Sequence, residues 1–175
     1  LSWLAVDGTA AIVEFPGVLY RGAAEAKIRQ YLVENNYVDA VIQLPPDLFF
    51  GTTIGTCIIV LKKSKQDNSV LFVDASKQFV REGNKNKLSA DNQEMILETL
   101  AKRANVDHVA ALVSAEAIRE NVFNLSVSSY VEAEDTREEV DIVELNARIK
   151  EIVERQAVLR ASINEIVADL EGGAR

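Results

Sequence analysis

The chain has few of the residues from which many kinds of site are built. Its 175 residues include one cysteine, one histidine, three prolines and one tryptophan. A single cysteine, Cys57, excludes a disulfide within the chain, and one histidine, His108, makes a metal site rich in histidine equally unfavourable. No apolar run approaches the roughly 18 residues of a membrane span, and the opening residues do not read as a signal peptide. These absences favour a reducing compartment, and we expect a cytoplasmic protein without a membrane segment.

Negative charge is concentrated in the last quarter of the chain. Residues 132–171 hold 12 acidic and 5 basic side chains, whereas the remainder holds 15 acidic and 14 basic ones. Within that nearly neutral remainder, residues 62–87 carry 7 basic and 3 acidic side chains. The overall net charge of −8 therefore does not exclude contact with nucleic acid. The hydrophobic fraction of 48% is enough for one compact domain with a core.

Short apolar runs separated by turn residues predict an α/β fold. After an opening that reads as the end of a helix, residues 10–15 form a strand of the kind that helices cover on both faces. A helix over 22–35 and a strand over 38–44 complete a strand–helix–strand unit. The residues expected on the inward stripe of that helix are Ala24, Ile28, Tyr31 and Leu32. Because Leu1 is not a start methionine, we expect a piece of a longer chain.

The rest of the body alternates strands, loops and helices. Only a loop separates the strand at 38–44 from a strand at 56–61, so these two strands are predicted to form an antiparallel pair at the edge of the sheet. The further elements predicted are a strand at 70–74, a charged loop at 81–87, a helix from the Ser89 cap to Arg103 with Met95, Ile96 and Leu100 inward, a short helix at 115–120 capped by Ser114, and irregular chain at 121–131.

The tail carries the clearest periodic pattern in the chain. Positions spaced alternately three and four residues apart form an unbroken heptad seam of Ile142, Leu145, Ile149, Ile152, Gln156, Leu159, Ile163, Ile166 and Leu170. A helix over 141–171, ended by Gly172-Gly173, would be roughly 46 Å long at 1.5 Å per residue. A seam of this length needs a partner helix, because a small body cannot cover it. Gln156, its polar member, can fix register and the choice of partner.

Three stretches of the body together resemble one protein family. They are FPGVLYRG at 15–22, LPPDLFFGTTIGTCIIVLKK at 44–63 and IRENVFNLSVSSYVE at 118–132. This looks like the C-terminal part of the modification subunit of type I restriction-modification systems, an N6-adenine DNA methyltransferase. The middle stretch is the most specific, because its leucine-proline, aromatic, Gly-Thr and Thr-Cys elements occur in order at fixed spacing.

The resemblance implies a fold, an activity and partners. The fold would be the C-terminal part of a Rossmann-like methyltransferase sheet with a terminal antiparallel strand over 1–80, a helical and irregular connecting region over 81–140, and a docking helix over 141–175. The parent enzyme would transfer a methyl group from S-adenosylmethionine to N6 of adenine in DNA. Its partners would be DNA, the specificity subunit and a second modification subunit, both reached through the terminal helix, and the restriction subunit.

The chain departs from that family at the two motifs that carry the chemistry. It has neither the glycine-rich cofactor loop nor the Asn-Pro-Pro-aromatic motif, because Pro45-Pro46 follows Leu44 rather than an amide side chain. Gly55 also stands where the family has proline. We therefore expect a fragment that is inactive alone, with no bound cofactor and no catalytic or metal-ligating residue. An uncovered seam and sheet edge would also favour artefactual self-association.

Two other classes of protein remain open for this sequence. One is a non-catalytic assembly module whose only role is docking through its coiled-coil helix. The other is a small homodimer held by a coiled coil, without a role on DNA. Removing residues 141–175 would separate them, because it abolishes subunit assembly in the methyltransferase and the assembly module but only turns the homodimer into a monomer.

Two sets of body residues are candidates for contact with DNA. A base flipped out of a duplex needs an aromatic face, and in related adenine methyltransferases the loop before the last strand supplies it. Here that loop holds Phe49 and Phe50, whose alternative role is to fill the core. Seven basic side chains would either form a face that contacts phosphates or only protect a solvated edge strand. They are Lys62, Lys63, Lys65, Lys77, Arg81, Lys85 and Lys87.

Other polar and aromatic residues have simpler interpretations. Three hydroxyls would either reach a base or phosphate or else cap local turns, namely those of Thr52, Thr53 and Thr56. Arg21 either faces a cleft or pairs with Glu25 one helical turn later. Cys57 is expected to be a buried, unreactive thiol. His108, Trp3 and Tyr130 are expected to be structural.

Overall fold

The computed structural model describes residues 1–134 and 141–172. The chain divides into two compact units, Leu1–Glu134 and Asp135–Arg175. The boundary predicted at residue 80 falls inside the first unit, where the residues on both sides of it share one sheet. The boundary predicted at residue 140 lies among residues 135–140, outside the described ranges.

The first unit is built on strands with helices on both sides. Its strands are β1 (Thr9–Glu14), β2 (Val38–Gln43), β3 (Cys57–Lys62), β4 (Ser69–Asp74), β5 (Val80–Glu82), β6 (Lys85–Lys87) and β7 (Ala110–Ser114). Its helices are α1 (Ala23–Glu34), α2 (Ala90–Lys102) and α3 (Ala115–Glu120), with 3₁₀ turns at Pro16–Leu19 and Val127–Ser129. Five strands form a mixed sheet in the order β1-β3-β2-β4-β7, in which only β2 and β4 are parallel neighbours.

The position of β3 in the sheet differs from the sequence prediction. The antiparallel pairing of β2 with β3 is confirmed, but the edge position is wrong, because β3 lies between β1 and β2. Cys57, its first residue, is opposite both Glu14 and Gln43. In the described sheet β1 and β7 are the edge strands instead, and Ile12 and Val13 of β1 are about half exposed. The expected burial of both faces of β1 is also wrong, since most of its residues are exposed. An apolar run shows that a strand can be buried, but it does not show which elements lie beside it.

The remaining elements follow the sequence with two exceptions. Ser89 caps α2 and Ser114 caps α3, each accepting a hydrogen bond from a backbone N–H three residues on, as predicted. The segment 81–87, predicted as a loop, belongs to the β5–β6 hairpin, whose turn uses Gly83 at a positive φ of 60°. The opening residues form two successive turns instead of a helix end.

The core lies in two layers, one on each face of the sheet. Alternate residues of a strand point to opposite faces, so Val41 and Phe72 pack under α1 and α3, while Ile42 and Leu71 pack under α2. The α2 prediction is confirmed, since Ile96 is buried and Met95 and Leu100 pack beside it. Each face therefore has its own helical cover over the central strands.

Of the predicted inward stripe of α1, only Leu32 is confirmed, since it packs against the core, whereas Ala24 is exposed. Ile28 and Tyr31 are exposed, and the most buried side chains are Val33 and Arg29. Arg29 is 5% exposed, and its Nε and Nη1 each donate a 2.9 Å hydrogen bond, to the backbone oxygens of Phe123 and Val18. Burial lowers the pKa of this guanidinium. A charged residue was left out of the predicted stripe because its hydrogen-bond acceptors lie far away in the sequence.

A buried carboxylate joins three elements at the start of β2. Asp39 is 6% exposed, and its two oxygens each accept a 2.8 Å contact, from Lys62 Nζ at the end of β3 and from Arg103 Nη1 after α2. Lys65 lies beside them and donates to the backbone oxygens of Val38 and Ser69, both at 2.6 Å. Burial lowers the pKa of Lys65. This cluster fixes the end of the sheet opposite to the loop that follows β2.

The second unit contains the predicted long helix, α4 (Ile142–Gly172). Its predicted extent of 141–171 is confirmed to within one residue, while the final Gly173 lies outside the described residues. The eight apolar seam residues are between 46% and 71% exposed. Within the described part of this unit α4 is the sole element, so it has no helix of its own unit to bury the seam against.

We expect that Asp39→Asn lowers the free energy of unfolding by about 1–3 kcal/mol, because it removes the buried carboxylate that Lys62 and Arg103 share, leaving Lys62 half-exposed and Arg103 with only the longer contact to Asp67. The matched control is Glu98→Gln, which removes an exposed pair with Lys102 and should leave the free energy of unfolding nearly unchanged, because water screens that pair. Urea unfolding followed by circular dichroism measures both. Equal effects of the two substitutions would contradict the role given to Asp39.

Candidate functional site

The loop between β2 and β3 lies where the carboxyl ends of two strands meet. Both β1 and β2 run antiparallel to β3, so the last residues of β1 and β2 flank the first residue of β3. The connecting segment, residues 44–56, therefore sits next to Glu14 and Gln43 together. Ligands of open α/β sheets bind at the carboxyl ends of strands, which makes this segment the first place to look for a site.

Aromatic side chains surround a cleft at this loop. Phe50 is fully exposed, and Phe49 and Phe15 are about half exposed. The cleft has a volume of about 260 Å³ and is lined by Val13, Glu14, Phe15, Phe49, Phe50, Thr52 and Thr56. A fully exposed ring contributes nothing to a core, so the core-filling alternative does not describe Phe50 in this unit. The ring instead lies exposed at the cleft, and its stacking on a base stays a prediction.

The backbone of the aromatic loop is held from outside by the β5–β6 hairpin. Lys85 Nζ donates to Asp47 Oδ1 at 2.7 Å, to the Phe49 backbone oxygen at 3.2 Å and to that of Thr52 at 3.1 Å. Arg81 Nη1 lies 2.9 Å from the other Asp47 oxygen. Hydrogen bonds from Lys85 and then Arg81 lower the pKa of the Asp47 carboxyl. The exposed Phe50 ring is therefore carried on a braced backbone.

A buried asparagine completes this brace. Asn86 Nδ2 donates to the Pro46 backbone oxygen at 2.8 Å, and the Asn86 backbone N–H donates to the Asp47 backbone oxygen at 3.1 Å. Sequence reasoning missed Asp47 and Asn86, because their partners lie about 40 positions away in the chain. The sequence signal for them is the proximity of Asp47 to the aromatic pair and the basic character of 81–87.

The seven basic residues predicted to form one face fall into separate groups. Lys62, Lys63 and Lys65 lie at the end of β3, and Lys85 lies near its start, about 17 Å away at 3.3 Å per strand residue. Each of the seven has an acceptor within the unit. The contacts not yet described are Lys63 Nζ to the Leu4 oxygen at 2.6 Å, Lys77 to Glu134 at 3.8 Å and Lys87 to Glu82 at 2.8 Å. Contact of any of them with phosphate stays a prediction.

The threonines of the loop differ in how their hydroxyls are used. Thr52 Oγ1 accepts a hydrogen bond of 3.1 Å from the Ile54 N–H, the turn-capping role that was one of its two predicted roles. Thr56 is 5% exposed, and its buried Oγ1 has no hydrogen-bond partner in the described residues. Gly51 has a φ of +80°, a conformation that glycine adopts at little cost. At Gly55 a Cβ would lie 3.2 Å from Gln43 Nε2.

The single cysteine lies directly beside Thr56 and has no reactive character. Cys57 is fully buried, and its Sγ donates to the Glu14 backbone oxygen at 3.4 Å. Burial raises the pKa of the Cys57 thiol from its ordinary value of 9.0 to about 11, and the Glu14 carboxylate adds to the rise. The predicted buried, unreactive thiol is confirmed.

Four further residues singled out in the sequence lie away from the cleft. Tyr130 stacks on Phe72 at a centroid distance of 4.3 Å, as expected for a packing residue. Trp3 is almost fully exposed, so its expected packing role is wrong within this unit. His108 Nδ1 lies 3.1 Å from the Glu132 backbone oxygen. The Arg21 guanidinium lies against Gly17, and among the described residues it makes no ion pair with Glu25.

The polar groups that follow the two parallel strands are used within the protein. Asp74 Oδ1 accepts from the Ser76 N–H at 2.8 Å, and Gln43 Nε2 donates to the Thr56 backbone oxygen at 3.2 Å. Across residues 1–134 and 141–172 no group of three acidic, histidine or cysteine side chains could hold a metal ion. None of the helices in those ranges is long and apolar enough to cross a bilayer.

A mixed sheet covered by helices on both faces defines an α/β protein. Comparison with known proteins gives the family. The model of the N-6 DNA methylase family matches residues 1–139, and the chain belongs to that family.

Individual relatives agree with this assignment. The chain is 46% identical over 169 residues, 96% of its length, to the methylase subunit of type I restriction enzyme MpnII of Mycoplasma pneumoniae. It is 34% identical over 90% of its length to the MjaVIII methylase subunit of Methanocaldococcus jannaschii. It covers 31% and 29% of those two proteins, so it spans less than a third of the relatives it matches.

A solved structure supports the same family. The crystal structure of the methyltransferase subunit of a type I restriction-modification system from Streptococcus thermophilus is 43% identical, with a TM-score of 0.70. The similarity covers 71% of this chain and 27% of that one. The resemblance stated from sequence motifs is confirmed.

The pKa of Cys57 predicts a loss of stability at alkaline pH. Between about pH 9 and pH 11 the folded thiol keeps a proton that the unfolded thiol releases, so unfolding becomes easier as pH rises, by up to about 1.4 kcal/mol per pH unit. We expect the urea midpoint to fall more steeply between pH 8.5 and 10.5 in the unaltered protein than in Cys57→Ala. Parallel pH profiles of the two proteins would contradict the raised pKa.

Proposed function

We propose that this chain is the C-terminal part of the modification subunit of a type I restriction-modification system, a cytoplasmic enzyme that methylates N6 of adenine in DNA. The observation that carries the proposal is the family match over 139 residues together with 46% identity to a type I methylase subunit. The mixed sheet would be the far part of a larger, Rossmann-like methyltransferase sheet. The exposed edge of β1 and the small share of each relative that is covered support this.

The cofactor of the parent enzyme would be S-adenosylmethionine, which supplies the methyl group. The described residues do not fit that cofactor, because the chain lacks the glycine-rich loop and the polar groups after β2 and β4 are engaged internally. The Asn-Pro-Pro-aromatic motif is also absent, so the chain holds no group to carry out the transfer. We therefore assign the methyl-transfer step to none of its residues, and expect the chain to be inactive alone.

The contribution of this chain to the reaction would be the aromatic wall of the target-base site. Taking a base out of a duplex costs a few kcal/mol, and stacking on an aromatic side chain returns roughly 1–3 kcal/mol. Phe50 is suited to this because its ring is fully exposed while its backbone is braced through Lys85 and Asp47. Phe49 is partly covered and would form the side of the same wall.

The basic residues would contribute to binding of the DNA backbone to different degrees. Lys87 is the best suited, since it follows Asn86, which binds the loop backbone, and its exposed pair with Glu82 is worth little in water. Lys85 supports the loop itself. Lys62, Lys63 and Lys65 lie at the opposite end of β3, where they would meet a phosphate only if the duplex extended along the strand.

The α4 helix would join the parent subunit to its partners, the specificity subunit and a second modification subunit. Its seam is exposed over 31 residues, which calls for a partner helix of similar length. Direct pairing of two α4 helices in parallel register is less favourable than pairing with a different helix. In such a pair Arg155 and Arg160 take the g and e positions, which face each other between the two helices. Like charges at those positions repel, whereas a different partner can place acidic residues there.

The aromatic wall is tested by Phe50→Ala in the complete modification subunit. We expect kcat/KM for methylation of duplex DNA to fall about 5- to 150-fold, the equivalent of one lost stacking interaction. Affinity for S-adenosylmethionine should not change, and Phe50→Trp should keep most of the activity. Tyr31→Ala, an exposed aromatic on α1, is the matched control. Equal losses of methylation and cofactor binding would contradict the stacking role.

The docking role of α4 is tested by placing two charges in its seam. Ile149→Asp with Ile163→Asp should abolish co-purification with the specificity subunit, because both positions would be buried between helices. Ala147→Asp with Ala161→Asp is the control and should assemble normally, because these two positions have the same separation but lie on the opposite face of the helix. If both pairs assemble, or if both fail, the seam is not the docking surface. Light scattering of the complex gives the stoichiometry.

A further inference from the structure

The cleft beside Phe50 contains a buried polar atom for which the protein provides no partner. Thr56 lines the cleft and is 5% exposed, and its Oγ1 accepts and donates no hydrogen bond within the described residues. The backbone of Thr56 is by contrast well used, since its oxygen accepts from Leu44 N at 2.9 Å and from Gln43 Nε2 at 3.2 Å. The residue is therefore firmly held while its hydroxyl stays free.

A free hydroxyl at such a position is unusual. Buried polar atoms nearly always have a hydrogen-bond partner, and one without a partner loses the hydration it would have in water. Valine has the shape of threonine and would fill the same space without that loss. The hydroxyl is the single buried side-chain polar atom without a partner found in the described residues, and it lies in the aromatic cleft.

The lining of the cleft indicates what would bind there. Phe15, Phe49 and Phe50 line the cleft with aromatic rings, and Glu14, an acidic residue, is also among its lining residues. A carboxylate repels phosphate but accepts hydrogen bonds from an amino group, so a base is favoured over the sugar-phosphate backbone. A volume of about 260 Å³ lies just below the range of drug-sized pockets and suits a single ring system.

We infer that Thr56 is a positioning residue for the flipped adenine, hydrogen-bonding the edge of the base whose face stacks on Phe50. This deepens the proposed function and rests on it. A hydroxyl can donate to a ring nitrogen of adenine or accept from its amino group. Because Oγ1 is covered, it would reach the ligand after one step of about 120° about χ1 of Thr56, which puts the hydroxyl where the methyl group was and the methyl group where the Cβ hydrogen was. An adenine ring could also belong to the cofactor, and the experiment separates these two sources.

The test compares Thr56→Val and Thr56→Ser in the complete modification subunit assembled with its partners. The duplex carries the target site, read from the N6-methyladenine positions of DNA that the unaltered protein has methylated. We expect Thr56→Val to weaken binding of this duplex about 3- to 10-fold, the effect of one lost hydrogen bond. It should also reduce the fluorescence of 2-aminopurine at the target position, which reports an unstacked base. Thr56→Ser should restore both.

Two readouts exclude a merely structural role. A duplex with an abasic site at the target position should bind the unaltered protein and Thr56→Val equally, since it lacks the base that Thr56 contacts. The melting temperature of Thr56→Val should not fall, whereas the control Thr99→Val removes a hydroxyl that is bonded to the Met95 oxygen at 2.8 Å. The control should leave binding and fluorescence unchanged, whatever it does to stability.

Several outcomes would overturn the inference. Weaker binding of S-adenosylmethionine with unchanged binding of DNA would assign the cleft to the cofactor's ring. Equal weakening on target and abasic duplexes, or no change on either, would leave Thr56 without a contact to the base. If the unaltered complete subunit transfers no methyl group to adenine in DNA, the proposed function itself fails, and this is established before any Thr56 variant is compared.

Discussion

The reversed direction of β3 is the constraint on which the candidate site depends. Because β3 runs antiparallel between β1 and β2, its first residues lie beside the last residues of both. This pairing brings Glu14, Gln43 and Thr56 to one place and forces the β2–β3 loop to lie over it. A parallel strand in the same position would need a crossover connection and would begin at the far end of the sheet. The cleft is thus a consequence of strand direction before any side chain is considered.

Charged side chains serve mainly to hold this arrangement together. At one end of the sheet Asp39 forms ion pairs with Lys62 and Arg103, and at the other Asp47 forms ion pairs with Lys85 and Arg81. A surface lysine next to an aromatic loop looks like a phosphate ligand in a sequence, yet the ammonium of Lys85 binds two backbone oxygens of that loop. These hydrogen bonds from Lys85 lower the conformational freedom of the loop backbone, which carries the exposed Phe50 ring. Preorganisation of this kind reduces the entropic cost of binding.

Local patterns in the sequence predicted the elements, and long-range pairing decided what they do. The capping serines, the long helix, the buried thiol and the family motifs all depend on residues close in sequence, and each was predicted. The place of β3 in the sheet, the inward side of α1 and the brace formed by Asp47 and Asn86 depend on partners that are tens of residues away. The aromatic pair was predicted through the family resemblance, but the exposure of Phe50 required the structure. The free hydroxyl of Thr56 had no signal in the sequence, because threonine in an apolar strand usually reads as a β-branched packing residue.

Phe50 and the α4 seam, both exposed, require different kinds of partner. The α4 seam repeats every seven residues, so only a surface with the same repeat, another helix, can bury it continuously. Phe50 is a single ring at a loop with a free hydroxyl and a carboxylate nearby, so a flat molecule with a polar edge satisfies it. A second protein surface would bury the ring but would leave Thr56 without a partner unless it happened to place a polar atom there. The chemistry of each feature therefore argues for one binding event along a helix and another, with a small ring, at the end of the sheet.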